Sequence, residues 1–152
     1  ACNISTGPYS TIAGGCCNTA SGCYSNVAGG VQNNASGCRS NVAGGGLNTA
    51  SAYSSNVAGG WCNTASGCYS NVAGGHCNTA SGSYSSVLNG SNNCICATAT
   101  FSSILGGTNI IALSANTVYA PSLVLTGIPT SCDGLGGGTI WNNNGVLNII
   151  AC

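Results

Sequence analysis

The chain has 152 residues, enough for one domain or for a rod with a cap, and only 1% of them are charged. Arg39 and Asp133 are the two charged side chains and His76 is the single histidine, where an ordinary domain carries roughly a quarter charged residues. This excludes long-range steering of nucleic acid and leaves no carboxylate pair or catalytic triad, so no nucleic-acid partner and no enzyme is expected.

Apolar residues make up 43% of the chain but are scattered among Gly, Ser, Asn and Thr. No run approaches the ~20 apolar residues of a membrane helix, so membrane insertion is not expected. The chain starts at Ala1 without a visible signal peptide, which reads as a processed form or a piece of a longer protein. Twelve cysteines place it near the composition of disulfide scaffolds, hence in an oxidising, extracellular compartment. Cys16-Cys17 and Cys94-Ile95-Cys96 lack zinc-site spacing, and neither a metal nor a cofactor is expected.

Residues 1–107 repeat. Gly15, Gly30, Gly45, Gly60, Gly75 and Gly90 fall fifteen residues apart, and Asn3, Asn18, Asn33, Asn48, Asn63, Asn78 and Asn93 hold the same period. A third column runs Ile12, Val27, Val42, Val57, Val72, Val87. The unit x-x-N-T-A-S-G-x-Y-S-N-V-A-G-G is too short for a helical repeat, which needs about 33 residues. Its two short segments, separated by glycines suited to tight corners, alternate in the manner of strands. We expect an all-β chain, a parallel β-solenoid (β-roll) with one unit per coil and seven coils over 1–107, the seventh carrying two extra residues. Ala at the fifth position and Val or Ile at the twelfth point inward.

Stacking turns columns into ladders. The third-position Asn column is expected to stack amide on amide. The ninth-position column, Tyr9, Tyr24, Tyr69, Tyr84 and Phe101, is broken by Arg39 and Ser54. Arg39 either lies over Tyr24 as a cation–π contact or is solvated. Identical columns on neighbouring coils lie within the Cα range of a disulfide, which pairs Cys2 with Cys17, Cys62 with Cys77 and Cys23 with Cys38. Cys132 and Cys152 are a further candidate pair in the tail. Cys16, Cys68, Cys94 and Cys96 lack column partners and are left to bonds between chains or to free thiols. Open solenoid ends invite self-association.

After Gly107 the period stops, and residues 108–152 are expected to form a C-terminal β-hairpin cap or assembly segment. Its apolar runs are 110–113, 123–125, 139–141 and 146–150, with a turn at Asn142-Asn143-Asn144-Gly145 between the last two. Trp141 is expected in a core or at an interface.

The repeats A-S-G-C-Y-S-N-V-A-G-G and N-T-A-S-G resemble the head repeats of trimeric autotransporter adhesins and of phage and giant-virus fibre proteins. The tail over 128–149 looks like a short β module near the ends of viral fibre proteins. The resemblance implies parallel β-roll coils, three chains side by side and a role in projection or attachment on a cell-surface appendage or virion.

The expected function is therefore that of a structural subunit of an extracellular fibre, appendage or virion spike, adhesive and disulfide-stabilised. Its partners are further copies of itself, as a homotrimer or a head-to-tail filament, with a host-surface receptor or glycan as a further candidate. One alternative is an ice-binding solenoid, because Thr19, Thr49, Thr64 and Thr79 are each followed two residues on by Ser. Another is a carbohydrate-binding module with Tyr69, Tyr84 and Trp61 as a stacking platform.

Overall fold

The computed structural model describes residues 2–122 and, as backbone only, 140–143 and 146–149. Two compact units divide the chain, Ala1–Pro121 and Ser122–Cys152. The first unit is the expected all-β solenoid of parallel strands.

Each coil contributes two strands of two residues. The first lies at positions four and five, as in Thr19–Ala20, and the second at positions eleven and twelve, as in Asn26–Val27. First strands stack into one eight-stranded parallel sheet (sheet A) and second strands into another (sheet B). The register is one coil: Thr64 faces Thr79, and Val57 faces Val72. Backbone hydrogen bonds between coils run from 2.7 to 3.3 Å, for example Thr49 N–H to the Asn63 carbonyl at 2.8 Å.

Strand alternation sends the fifth and twelfth side chains inward, as expected. Ala20, Ala35, Ala50, Ala65 and Ala80 of sheet A and Val27, Val42, Val57, Val72 and Val87 of sheet B are fully buried and form one continuous core. A serine at position ten, from Ser25 to Ser85, is buried beside them.

The corners depart from the glycine expectation. Position fifteen is indeed a left-handed glycine, with φ of +86° at Gly60. Two further positions in each coil adopt the same region with ordinary side chains: position two (Cys17, Gln32, Leu47, Cys62, Cys77) and position nine (Tyr9, Tyr24, Arg39, Ser54, Tyr69, Tyr84). Left-handed backbone costs roughly 1–2 kcal/mol at such residues, so stacking must offset it at every corner. Glycine at position seven serves close approach instead. A Cβ at Gly37 would stand 2.0 Å from the Ala52 carbonyl oxygen.

The solenoid also extends further than the period. Ile111–Ala112 pairs with Cys94–Ile95, and Val118–Tyr119 pairs with Ser103–Ile104, which makes an eighth coil after residue 107. The boundary expected at 107/108 thus falls at Pro121. Ala112 keeps the buried fifth position and Tyr119 takes the place of valine, so the coil survives on its inward residues after Asn and Gly are gone. The two extra residues of the seventh coil fall between its strands, Cys94–Ile95 and Ser103–Ile104, where Ala99 tucks into the core.

In the second unit Ile140–Asn143 and Val146–Ile149 pair antiparallel with Asn143 opposite Val146, a hairpin in which Asn142 and Asn143, expected in the turn, belong to the first strand. The runs at 123–125 and 139, the residues Cys132 and Cys152, and the side chain of Trp141 lie outside the described residues.

Candidate functional site: ladders on the solenoid surface

Among the described residues there is no pocket, no convergent group of three or more metal-ligating side chains, and no helix long and apolar enough to cross a membrane. What the coils present are columns, repeated along two faces and two edges.

The buried column is the third-position asparagine. From Asn18 to Asn78 each amide oxygen accepts the backbone N–H of the next Asn, while Nδ2 donates to two glycine carbonyls; Asn93 instead accepts from the Ile110 N–H and donates to the carbonyls of Asn89 and Gly107. Asn48 donates at 2.9 Å to both Gly44 and Gly60. The amide-on-amide arrangement expected here occurs instead at position eleven. Asn26, Asn41, Asn56 and Asn71 form a chain of Nδ2-to-Oδ1 bonds of 2.7 Å, ending on Ser86 at 3.3 Å. A buried asparagine at the coil corner must first satisfy orphaned backbone groups, whereas the outward asparagines of sheet B have only each other.

Sheet B therefore shows solvent an amide ladder flanked by exposed alanines (Ala28, Ala43, Ala58, Ala73). Sheet A shows half-buried Thr19, Thr49, Thr64 and Thr79 beside a serine column from Ser21 to Ser81, with Asn34 interrupting the threonines. Ser66 Oγ donates to Ser81 Oγ at 3.1 Å.

One edge carries the aromatic ladder. Tyr9 and Tyr24, Tyr69 and Tyr84, and Tyr84 and Phe101 stack with centroids 4.8 Å apart in each pair. Arg39 is exposed, as in the solvated reading, but its aromatic partner is Tyr53 and not Tyr24. Its Nη1 donates to the Tyr53 hydroxyl at 2.7 Å, and its guanidinium carbon lies 5.6 Å from that ring. Tyr53, one position before Ser54, also meets Tyr69 edge-on at 5.5 Å and so bridges the break in the column. Sequence columns missed it because it belongs to position eight. Partial desolvation in the stack, with Tyr53 and Tyr84 alongside, pushes the Tyr69 phenol up.

Trp61 lies on the other edge, its ring packed on Gly46 of the preceding coil. The three aromatics expected as a sugar platform are thus on two edges, and Tyr69 and Tyr84 turn their faces on one another.

The ten described cysteines are thiols. Cys2 and Cys17, and Cys62 and Cys77, occupy position two of adjacent coils, on the Trp61 edge; Cys23 and Cys38 occupy position eight, on the tyrosine edge. A hydrogen bond with Cys62 pushes the Cys77 thiol up, and His76 Nε2 lies 3.8 Å from Cys77 Sγ. The four cysteines without column partners, Cys16, Cys68, Cys94 and Cys96, have neighbours of other kinds. Cys16 Sγ donates to Cys17 Sγ at 3.5 Å, which raises the Cys16 thiol. Cys94 is raised first by burial and then by Cys96, two residues along the same strand direction. Cys68 sits in the position-eight column between Tyr53 and Ser83.

No protein-family model matches this chain, and no curated protein matches it.

Proposed function

We propose that the chain is a self-associating structural module of an extracellular fibre, appendage or virion spike, with adhesion as its purpose. The observation that carries this reading is the one-dimensional architecture: eight coils in strict register, with function-bearing columns outside and no enclosed site among the described residues. Ile4–Ser5 and Thr11–Ile12 are the first strands of their sheets here, and large apolar side chains along the coils are exposed, among them Val31, Leu47, Trp61 and Leu88, which offers apolar surface to another chain. Self-repulsion is negligible in a chain with one Arg and one Asp, which favours lateral or end-to-end packing.

Light scattering on the full chain, with and without reductant, tests the reading. A trimer or filament supports it; a monomer in both conditions overturns it. Loss of the assembly on reduction would place disulfides between chains.

The hydroxyl face of sheet A supports ice binding as a second reading, since its columns repeat with the coil on a regular surface. Thermal hysteresis from a monomer, abolished by Thr64→Leu together with Thr79→Leu, is its expected signature.

A further inference from the structure

Three cysteine pairs share a column on adjacent coils: Cys2 with Cys17, Cys23 with Cys38, and Cys62 with Cys77. The column repeat can be read from the stacked rings at position nine, 4.8 Å between centroids in all three pairs. One step along the solenoid carries a residue onto a nearly parallel copy of itself. Cys62 and Cys77 share a left-handed corner, with φ of 59° and 52°. Their Cα–Cβ bonds therefore run side by side, and the Cβ separation is close to the coil repeat rather than the ~3.5–4.5 Å of a disulfide. Closing an S–S bond requires the two coils to approach or tilt. That movement is opposed on the same corner by the bonds from Cys77 N–H to the Trp61 carbonyl and from Cys62 N–H to the Gly46 carbonyl, both 2.9 Å.

A two-coordinate metal thiolate has the opposite requirement. Its sulfurs lie on opposite sides of the ion, separated by twice a metal–sulfur bond; with the ~2.3 Å zinc–thiolate bond as the yardstick, that span is about 4.6 Å. This span is close to the coil repeat. Soft thiolates select ions such as Cu(I). Tetrahedral zinc needs four donors, and among the described residues no group of even three converges. Hard-ion ligands are scarce as well, with one carboxylate side chain in the whole chain.

We propose that the same-column cysteine pairs, foremost Cys62 and Cys77, bind soft monovalent ions such as Cu(I) between coils as linear bis-thiolates. Each event forms two metal–sulfur bonds and releases two protons: Cu⁺ and two thiols give an anionic bis-thiolate and 2 H⁺, with no electron transferred. His76, 3.8 Å from the Cys77 sulfur, is an outer hydrogen-bond partner of that thiolate. Because binding releases two protons, occupancy strengthens as pH rises. The proposal does not rest on the fibre reading, since it needs only the coil register.

The test is an anaerobic titration of the reduced full chain with Cu(I) against a chromophoric Cu(I) chelator, with bound ions counted by native mass spectrometry. Cys62→Ser, Cys77→Ser and the double variant should each lose the same single ion. Cys68→Ser, whose column neighbours Tyr53 and Ser83 carry no thiol, should keep the wild-type count. Melting curves of the metal-free variants establish that they fold. Unchanged counts in Cys62→Ser and Cys77→Ser would overturn the proposal, as would Cu(I) affinity no greater than that of the denatured chain. A Cys62–Cys77 cross-link mapped in protein isolated under thiol-blocking conditions would overturn it too.

Discussion

Asn63 donates its backbone N–H to the side-chain oxygen of Asn48 at 2.9 Å, while the Asn48 amide nitrogen holds the carbonyls of Gly44 and Gly60. One side chain thereby satisfies three backbone groups in three successive coils, and Asn63 repeats the arrangement on the next. Asn48→Ala leaves the Asn63 N–H and the Gly44 carbonyl unpaired in a buried corner, while the Gly60 carbonyl keeps the Gly46 N–H at 3.0 Å. We expect a loss on the order of 3 kcal/mol, read from chemical denaturation. Asn48→Asp keeps the acceptor, removes both donors and buries a charge, so it should be worse than alanine.

The glycine pair at the end of each coil separates by role. A Cβ at Gly60 would meet the Gly75 carbonyl oxygen at 2.3 Å on a backbone of φ +86°, whereas one at Gly59 meets nothing within 4 Å. Gly60→Ala should lower the melting temperature sharply, by at least about 3 kcal/mol of stability, because strain and clash add. Gly59→Ala should change it by about 0.5 kcal/mol or less.

The core predicts an asymmetry between the sheets. Val57→Ala empties part of a layer that is already thin and should cost about 1–3 kcal/mol. Ala50→Leu, also at a fully buried site, overfills the space between sheets and should cost at least as much, about 1–3 kcal/mol or more. Urea midpoints of the two variants measure both.

Stability should be insensitive to pH below the thiol range and fall above it. Cys16, Cys77, Cys94 and Tyr69 are all raised in the folded chain. For a raised group the stabilisation is present below its unfolded pKa and is lost as pH rises through the folded value. Tyr119 acts the other way. The backbone N–H of Ser114, with that of Leu113, donates to its oxygen and lowers its pKa, so its contribution appears above the unfolded tyrosine pKa. Denaturation midpoints from pH 6 to 10 should decline beyond the ordinary thiol range of ~8.5, and alkylated protein should lose most of that decline.

The solenoid was legible because its inward columns are written in identical residues, Ala50 under Ala65 and Val57 under Val72. The eighth coil was hidden because Ile110, Ala112 and Tyr119 keep the inward pattern while the Asn and Gly markers disappear. The thiol columns could be placed by spacing alone. The pose of Arg39 could not, since a column argument compares residues fifteen apart and Tyr53 is fourteen away. The two Asn columns could not be told apart by spacing either, because both repeat equally well. Only burial decides which one serves the backbone.

The seventh coil has a consequence for how such a chain can change. Its two added residues are absorbed between the sheets, and the register resumes with Ser86 opposite Ser103 and Val87 opposite Ile104. The exposed pair Ala97 and Thr98, just ahead of the buried Ala99, is therefore a permissive address on a molecule whose length elsewhere changes only in whole coils. New peptide sequence can be grafted there at fixed height along the axis, while length itself can be altered by adding or deleting a complete fifteen-residue unit.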